Sequence, residues 1–157
     1  MILYHGSNMT FDSIDLSKSK RFKDFGRAFY LSDNNEQARL MAEAKVELFG
    51  GTPVVTLYNF EDAQLNNKSL KIKTFNEYSK QWAEFVFNNR DENQLYEHEF
   101  DIVYGPIAND YVGLQIRELK RGNISFATFV RQLKYHKGIT FQYAFCTQKA
   151  IDLLTKL

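Results

Sequence analysis

The 157-residue chain contains few residues that form disulfides or interrupt helices and strands: one cysteine and two prolines. Cys146 alone cannot form an internal disulfide, and three histidines with one cysteine provide no spacing typical of structural zinc. No uncharged apolar run reaches the roughly 18 residues that a membrane helix needs. We therefore expect a cytoplasmic, soluble protein that does not interact with a membrane.

An excess of charge of either sign is also missing. Twenty Lys and Arg residues are balanced by 19 Asp and Glu residues, a net charge of +1, so bulk attraction to nucleic acid or an anionic membrane is not expected. The chain does have a globular composition, 44% hydrophobic and 15% aromatic, and a length typical of one domain. We expect a single domain covering residues 1–157.

The hydrophobic pattern predicts short strands interspersed with helices. Strands are expected at residues 2–4, within 24–32, and at 54–58, 100–104 and 140–146. Helices are expected up to residue 49 after an Asp33 or Asn34 cap, at 76–88, after Ser125 and after Thr147. Because strands and helices do not alternate regularly, the pattern favours an α+β fold.

Three polar features lie beside predicted strands. His5 follows the first strand in a cluster of turn-forming residues. Tyr30 and Ser32 share one face of the second strand, and Gln142 has the small residue Ala144 beside it on its own strand face. Taken singly, each has a structural explanation, as a turn residue, a core ring and a loop-bonding amide respectively. Function becomes the better explanation only in combination.

In combination these segments resemble a known superfamily. Residues 4–7 (YHGS), 26–32 (GRAFYLS) and 141–145 (FQYAF) resemble, in order and spacing, the motifs of the ADP-ribosyltransferase superfamily. The likeness is to its His-Tyr-Glu branch, related to diphtheria toxin and the poly-ADP-ribose polymerases. Residues 24–26 (DFG), 100–110 (FDIVYGPIAND) and 142–147 (QYAFCT) are similar to a bacterial family of unknown function, DUF3990, which is placed in that superfamily. The resemblance implies a split mixed or antiparallel sheet with flanking helices.

The resemblance also implies a ligand and roles. NAD would be the co-substrate and no metal would be needed. The backbone of Gly6 would hold the nicotinamide carboxamide, His5 would bond the adenosine-side ribose, and Tyr30 would stack on the nicotinamide ring. His5, Tyr30 and Gln142 are then the catalytic candidates. The cofactor-binding candidates are His5, Gly6, Ser7, Gly26, Arg27, Phe29, Tyr30 and Ser32.

Gln142 departs from the superfamily pattern, which has a glutamate there to orient the ribose and stabilise positive charge. An amide can bond a hydroxyl but provides neither a full negative charge nor a general base. Either Gln142 suffices for single transfers, or a carboxylate such as Asp101 or Asp110 takes the acidic role, or the domain binds NAD without turnover. We expect mono-ADP-ribosylation, with NAD glycohydrolysis or plain NAD or ADP-ribose binding as alternatives.

Two surface features have a structural and a functional interpretation. Asn109 and Asp110 either cap a helix or contact the acceptor at the rim of the cleft. The basic loop at residues 18–23 is either a solvated charge run or a contact for the NAD pyrophosphate or an anionic acceptor. Small bacterial transferases of this superfamily are often toxins or effectors delivered to another cell, which implies a macromolecular acceptor and a neutralising, antitoxin-like partner.

Overall fold

The computed structural model describes residues 1–109, 111–133 and 139–157. These residues form two β-sheets with helices packed around them, and the predicted α+β class is confirmed. None of the described helices is long and apolar enough to span a membrane. The elements are β1 (Ile2–Ser7), β2 (Phe29–Leu31), α1 (Asn35–Phe49), β3 (Val54–Asn59), β4 (Ile72–Thr74), α2 (Lys80–Arg90), β5 (Ile102–Pro106), α3 (Val112–Lys120), α4 (Phe126–Gln132), β6 (Phe141–Phe145), α5 (Gln148–Ile151) and β7 (Thr155–Lys156).

Among the described residues, one backbone bridge joins the two sheets. One sheet has the antiparallel order β1-β3-β7, and the other has the order β2-β6-β5-β4, in which only the β4–β5 pair is parallel. The Tyr4 amide donates to the Ser32 carbonyl at 2.8 Å, and the Ser32 amide donates to the Tyr4 carbonyl at 2.9 Å. This bridge places the middle of β1 beside the end of β2.

The second sheet separates two hydrophobic clusters. Tyr143 and Phe145 of β6 belong to a cluster that includes Leu3 of β1, whereas Ala144 faces a cluster built on Trp82 and other residues of α2, α3 and α4. This alternation is the one predicted for β6, because side chains along a strand point to opposite faces. Gln142, two residues before Ala144, therefore lies on the same face of the sheet as the helices.

Several element boundaries differ from the predicted ones. β1 does not end before His5: it continues to Ser7, because β3 pairs with it as far as Ser7↔Val54. α2 begins only after Ser79, whose hydroxyl accepts the Trp82 amide at 3.1 Å. β4 and β7 were not predicted, because strands of three and two residues are defined by their partners rather than by their own pattern.

α1 packs against β1 at Gly6. A Cβ atom on Gly6 would lie 2.0 Å from the Ala38 carbonyl oxygen and 2.9 Å from the Ala42 amide nitrogen. Both alanines are buried, so three small residues allow the helix backbone to touch the strand. The packing of α1 against β1 thus requires a glycine at position 6, independently of any ligand.

We expect Gly6→Ala to destabilise the fold, because the new methyl group must displace helix backbone rather than a movable side chain. Overpacking of this kind costs about 1–3 kcal/mol, measurable as a lower free energy of unfolding in urea. Gly113→Ala in α3 is the matched control: its Cβ would meet nothing closer than the Arg117 guanidinium at 3.8 Å, so it should leave stability equal or raised by up to about 1 kcal/mol. Equal stability of the two variants would contradict the close packing.

Candidate functional site

The three segments singled out in the sequence lie next to one another where the sheets join. Tyr30 pairs with Ala144 and Leu31 with Tyr143, and continuing this register by one pair places Gln142 across from Ser32. Ser32 in turn bridges to β1 beside His5. The middle of β1, the end of β2 and the start of β6 thus form one row across the two sheets, with candidate side chains from each strand.

His5 is held as a neutral imidazole. Its Nδ1 lies 2.7 Å from the Tyr30 carbonyl oxygen, and because a carbonyl only accepts, Nδ1 carries the hydrogen and Nε2 remains an acceptor. The ring stacks on Phe29 at 4.3 Å between centroids. Burial, and then the positive charges of Lys45 and Lys23, lower the His5 pKa to about 4 despite the bond to Tyr30. His5 can therefore accept a hydrogen bond from a ligand hydroxyl at neutral pH.

Tyr30 is fixed through its hydroxyl group. The hydroxyl donates to the Gly26 carbonyl at 2.7 Å and accepts the Phe25 amide at 3.1 Å. Burial, followed by the nearby Asp24 charge, raises the Tyr30 pKa well above its usual value. Gly26 has φ +78°, a conformation that favours glycine at this turn. Because the hydroxyl is engaged in these bonds, the ring is the part of Tyr30 that can contact a ligand.

The two candidate serines have local structural partners. Ser32 donates its hydroxyl to Gln37 Oε1 at 3.1 Å and accepts the Asn34 amide at 3.0 Å, which organises the start of α1. Ser7 accepts the Met9 amide at 3.4 Å. Both serines are buried. They lie at the predicted site, but their hydrogen bonds connect parts of the fold.

Gln142 is oriented by a buried carboxylate. Its Nε2 donates to Asp24 Oδ2 at 3.2 Å, and because a carboxylate only accepts, this contact assigns the amide and leaves Oε1 as the acceptor. The same Oδ2 accepts the Ala108 amide at 3.1 Å. Asp24 Oδ1 accepts from Arg90 Nε at 2.9 Å and from Arg90 Nη2 at 2.6 Å. Asp24 thereby ties β6, α2 and the segment after β5 to the entry of β2.

Sequence reasoning missed the role of Asp24 and of Arg90. Asp24 belongs to the DFG segment at residues 24–26, but the spacing of that segment does not indicate that Arg90 of α2 is its partner. Neither was Lys45 singled out, since it lies among alternating polar and apolar residues of α1. Its ammonium donates to the Gly6 carbonyl at 2.6 Å.

Asp101 lies away from Gln142. Its carboxylate accepts the Lys71 amide at 2.8 Å and the Thr147 hydroxyl at 2.7 Å, and its carbonyl accepts the Cys146 amide at 2.8 Å. These bonds place it beside the opposite end of β6, where it supports the start of α5. Asp101 does not bring a carboxylate to Gln142.

The two acceptor-contact candidates have different outcomes. Asn109 is buried, accepts the Tyr111 amide on its side-chain oxygen at 3.0 Å, and donates its side-chain nitrogen to the Gln132 carbonyl. It thus links the start of α3 to the end of α4, an internal role rather than one at a rim. Asp110 lies outside the described residues.

Arg27 is exposed and, with Gly26, lines a separate cavity of about 250 Å³.

Two lysines, Lys23 and Lys45, bring positive charge to the candidate site. The Lys23 ammonium lies 4.9 Å from the centroid of the Tyr30 ring. Burial, followed by the Lys23 charge, lowers the Lys45 pKa to about 8, and burial, followed by the Arg90 charge, lowers the Lys23 pKa. No carboxylate of the described residues forms an ion pair with either lysine. No cluster of three metal-ligating side chains occurs in the described part of the chain.

One comparison with known proteins gives a match. A family model described as "Protein of unknown function (DUF3990)" matches residues 1–155, which include every residue of the site. No curated protein and no solved structure matches the chain.

We expect Arg90→Met to destabilise the protein by about 3 kcal/mol or more, because it leaves Asp24 buried without its cation. Arg39→Met is the matched control: Arg39 pairs with Glu36 and Glu43 on the exposed face of α1, where ion pairs contribute about 0–1 kcal/mol. Urea unfolding of both variants makes the comparison. Similar losses in the two would show that Asp24 does not depend on Arg90.

The low pKa of His5 makes stability depend on pH with a definite sign. The unfolded chain protonates His5 near pH 6.5 and the folded protein only near pH 4, so the contribution is complete above pH 6.5 and lost as the pH falls to 4. The expected loss is up to about 3 kcal/mol. Urea unfolding from pH 7 to pH 4 should show this extra loss in the wild type relative to His5→Gln. Parallel pH profiles for the two proteins would refute the buried neutral imidazole.

Proposed function

The chain belongs to the DUF3990 family, whose function is unknown, and we propose that it transfers single ADP-ribose units from NAD to a macromolecular acceptor. The observation that supports this most is the adjacency of His5, Tyr30 and Gln142 where the middle of β1, the end of β2 and the start of β6 meet. The roles come from the resemblance of these segments to the ADP-ribosyltransferase superfamily. Transferases of this kind include toxins and effectors, for which a neutralising partner is part of the proposal.

The groups present suit the parts of NAD. The free Nε2 of neutral His5 can accept a ribose hydroxyl, the Tyr30 ring can stack on the nicotinamide, and Gln142 Oε1 can accept a hydroxyl of the other ribose. The positive charges of Lys23 and Lys45 suit the diphosphate. Each part of the ligand thus has a complementary group among these residues.

In the proposed transfer, the bond between nicotinamide nitrogen and ribose C1′ breaks and nicotinamide leaves with the electron pair. The acceptor's nucleophile then attacks C1′, forming the new glycosidic bond, and releases its proton to solvent water. Gln142 would orient the ribose, since a bond from its Nε2 to Asp24 polarises the amide and makes Oε1 a better acceptor. Orientation alone contributes to catalysis by holding the reacting atoms in place.

The geometry gives a physical reason for glutamine at position 142. A glutamate there would place a second carboxylate where Gln142 Nε2 now lies, 3.2 Å from Asp24 Oδ2. Two like charges at that distance do not both stay ionised without a cost. Glutamine is therefore the side chain that complements Asp24, and Asp24 itself is neutralised by Arg90.

Because Arg90 neutralises Asp24, a second candidate function is favoured, namely a module that binds NAD or ADP-ribose without turnover. Lys23 and Lys45 attract a diphosphate but oppose the positive charge that develops on the ribose. NAD glycohydrolysis, with water as the acceptor, is the remaining alternative. The three functions differ in products: labelled macromolecule, free nicotinamide alone, or neither.

The test is incubation of the protein with NAD labelled in its adenosine part, in the presence of a cell lysate, with label and free nicotinamide both measured. We expect labelled macromolecule with wild type and at least about tenfold less with Gln142→Ala, from loss of one hydrogen bond to the ribose. Gln132→Ala, on the exposed surface of α4, is the matched control and should keep wild-type transfer.

The outcomes separate the candidates. Nicotinamide release without labelled macromolecule indicates a glycohydrolase, and calorimetric NAD binding with neither product indicates a binding module. Absence of both binding and turnover in a folded wild type contradicts the proposal.

A further inference from the structure

Two lysines contact the groups that bind nicotinamide in the proposed function. Lys23 places its ammonium over the ring of Tyr30, 4.9 Å from the centroid. Lys45 donates to the carbonyl of Gly6 at 2.6 Å. The ring face and the backbone carbonyl are thus both covered by a cation from a neighbouring element, the basic loop in one case and α1 in the other.

The two ammonium groups repel each other, and within the described residues neither forms an ion pair. The charge of Asp24 offsets only part of the lowering of the Lys23 pKa. The charge of Lys23 contributes to the lowered pKa of Lys45, and both lysines lower the pKa of His5. Asp24 is the carboxylate nearest in sequence to Lys23, but its oxygens already accept from Arg90, Ala108 and Gln142. Partly buried like charges without a partner are the arrangement that an anionic ligand relieves.

We propose that Lys23 and Lys45 form a phosphate-operated latch: a diphosphate bound between them draws both ammonium groups away and so uncovers the Tyr30 ring and the Gly6 carbonyl. This inference rests on the proposed function, in that NAD is the ligand carrying both a diphosphate and a nicotinamide ring. It adds that the two parts bind cooperatively, with the diphosphate opening the site for the ring.

The energetics favour movement in this direction. A charge-assisted bond from ammonium to phosphate is stronger than a cation–π contact or a bond to a neutral carbonyl. A lysine side chain has enough rotatable bonds to exchange one partner for the other without backbone movement. The latch would therefore admit a complete dinucleotide readily and free nicotinamide poorly.

The experiment measures nicotinamide binding by calorimetry with and without saturating inorganic pyrophosphate. Cooperativity between sites is commonly at least about fivefold, so we expect pyrophosphate to tighten nicotinamide binding to wild type by at least that factor. By reciprocity, nicotinamide should tighten pyrophosphate binding equally.

Substitutions should move the two ligands in opposite directions. Lys23→Met and Lys45→Met are expected to bind nicotinamide more tightly than wild type without pyrophosphate, because the cation no longer covers the site, and to bind ADP-ribose more weakly. Loss of fold would weaken both ligands, so it cannot produce this pattern. Lys73→Met is the matched control, since Lys73 lies over the ring of Phe75 instead, 5.1 Å from its centroid; it should behave as wild type.

The results distinguish the latch from the proposed function. If wild type binds NAD but pyrophosphate leaves nicotinamide affinity unchanged, or if the two methionine variants gain no affinity for nicotinamide, the latch is wrong and the function stands. If neither wild type nor any variant binds NAD or nicotinamide, both are wrong.

Discussion

The buried carboxylate of Asp24 is the contact on which the candidate site depends. Arg90 supplies two donors to it, and Ala108 and Gln142 supply one each. A buried charge is tolerated only when it is paired and hydrogen-bonded, so these four bonds hold α2, β6 and the entry of β2 in one arrangement. They also decide which atom of Gln142 faces the carboxylate, and hence that its oxygen is the group left for a ligand.

The site around this contact combines a neutral acceptor with two lysines that form no ion pair with any other described residue. His5 remains uncharged because it is buried beside Lys45 and Lys23, and both lysines have lowered pKa values. A site of this kind is complementary to an anion that also carries hydroxyl groups. The net charge of the whole chain, +1, does not reveal these two lysines, because carboxylates elsewhere on the surface balance them.

The parts of the fold that sequence could predict are those defined by local rules. Asn34, Ser125 and Thr147 cap helices through their side chains, as expected, and the alternating faces of β6 follow from the strand period. β7 and the Asp24–Arg90 pair depend on partners distant in sequence, which no local pattern reveals. The candidate strands were therefore predictable, whereas the contacts that determine their chemistry were not.

We propose that NAD binds across His5, Tyr30 and Gln142, where β1, β2 and β6 meet, and a crystal structure with NAD bound would reveal whether it does. We expect nicotinamide against the Tyr30 ring, a ribose hydroxyl bonded to Gln142 Oε1, and the Lys23 ammonium at the diphosphate rather than over Tyr30. NAD bound instead in the separate cavity beside Arg27, or Lys23 still over Tyr30 with NAD present, would contradict it.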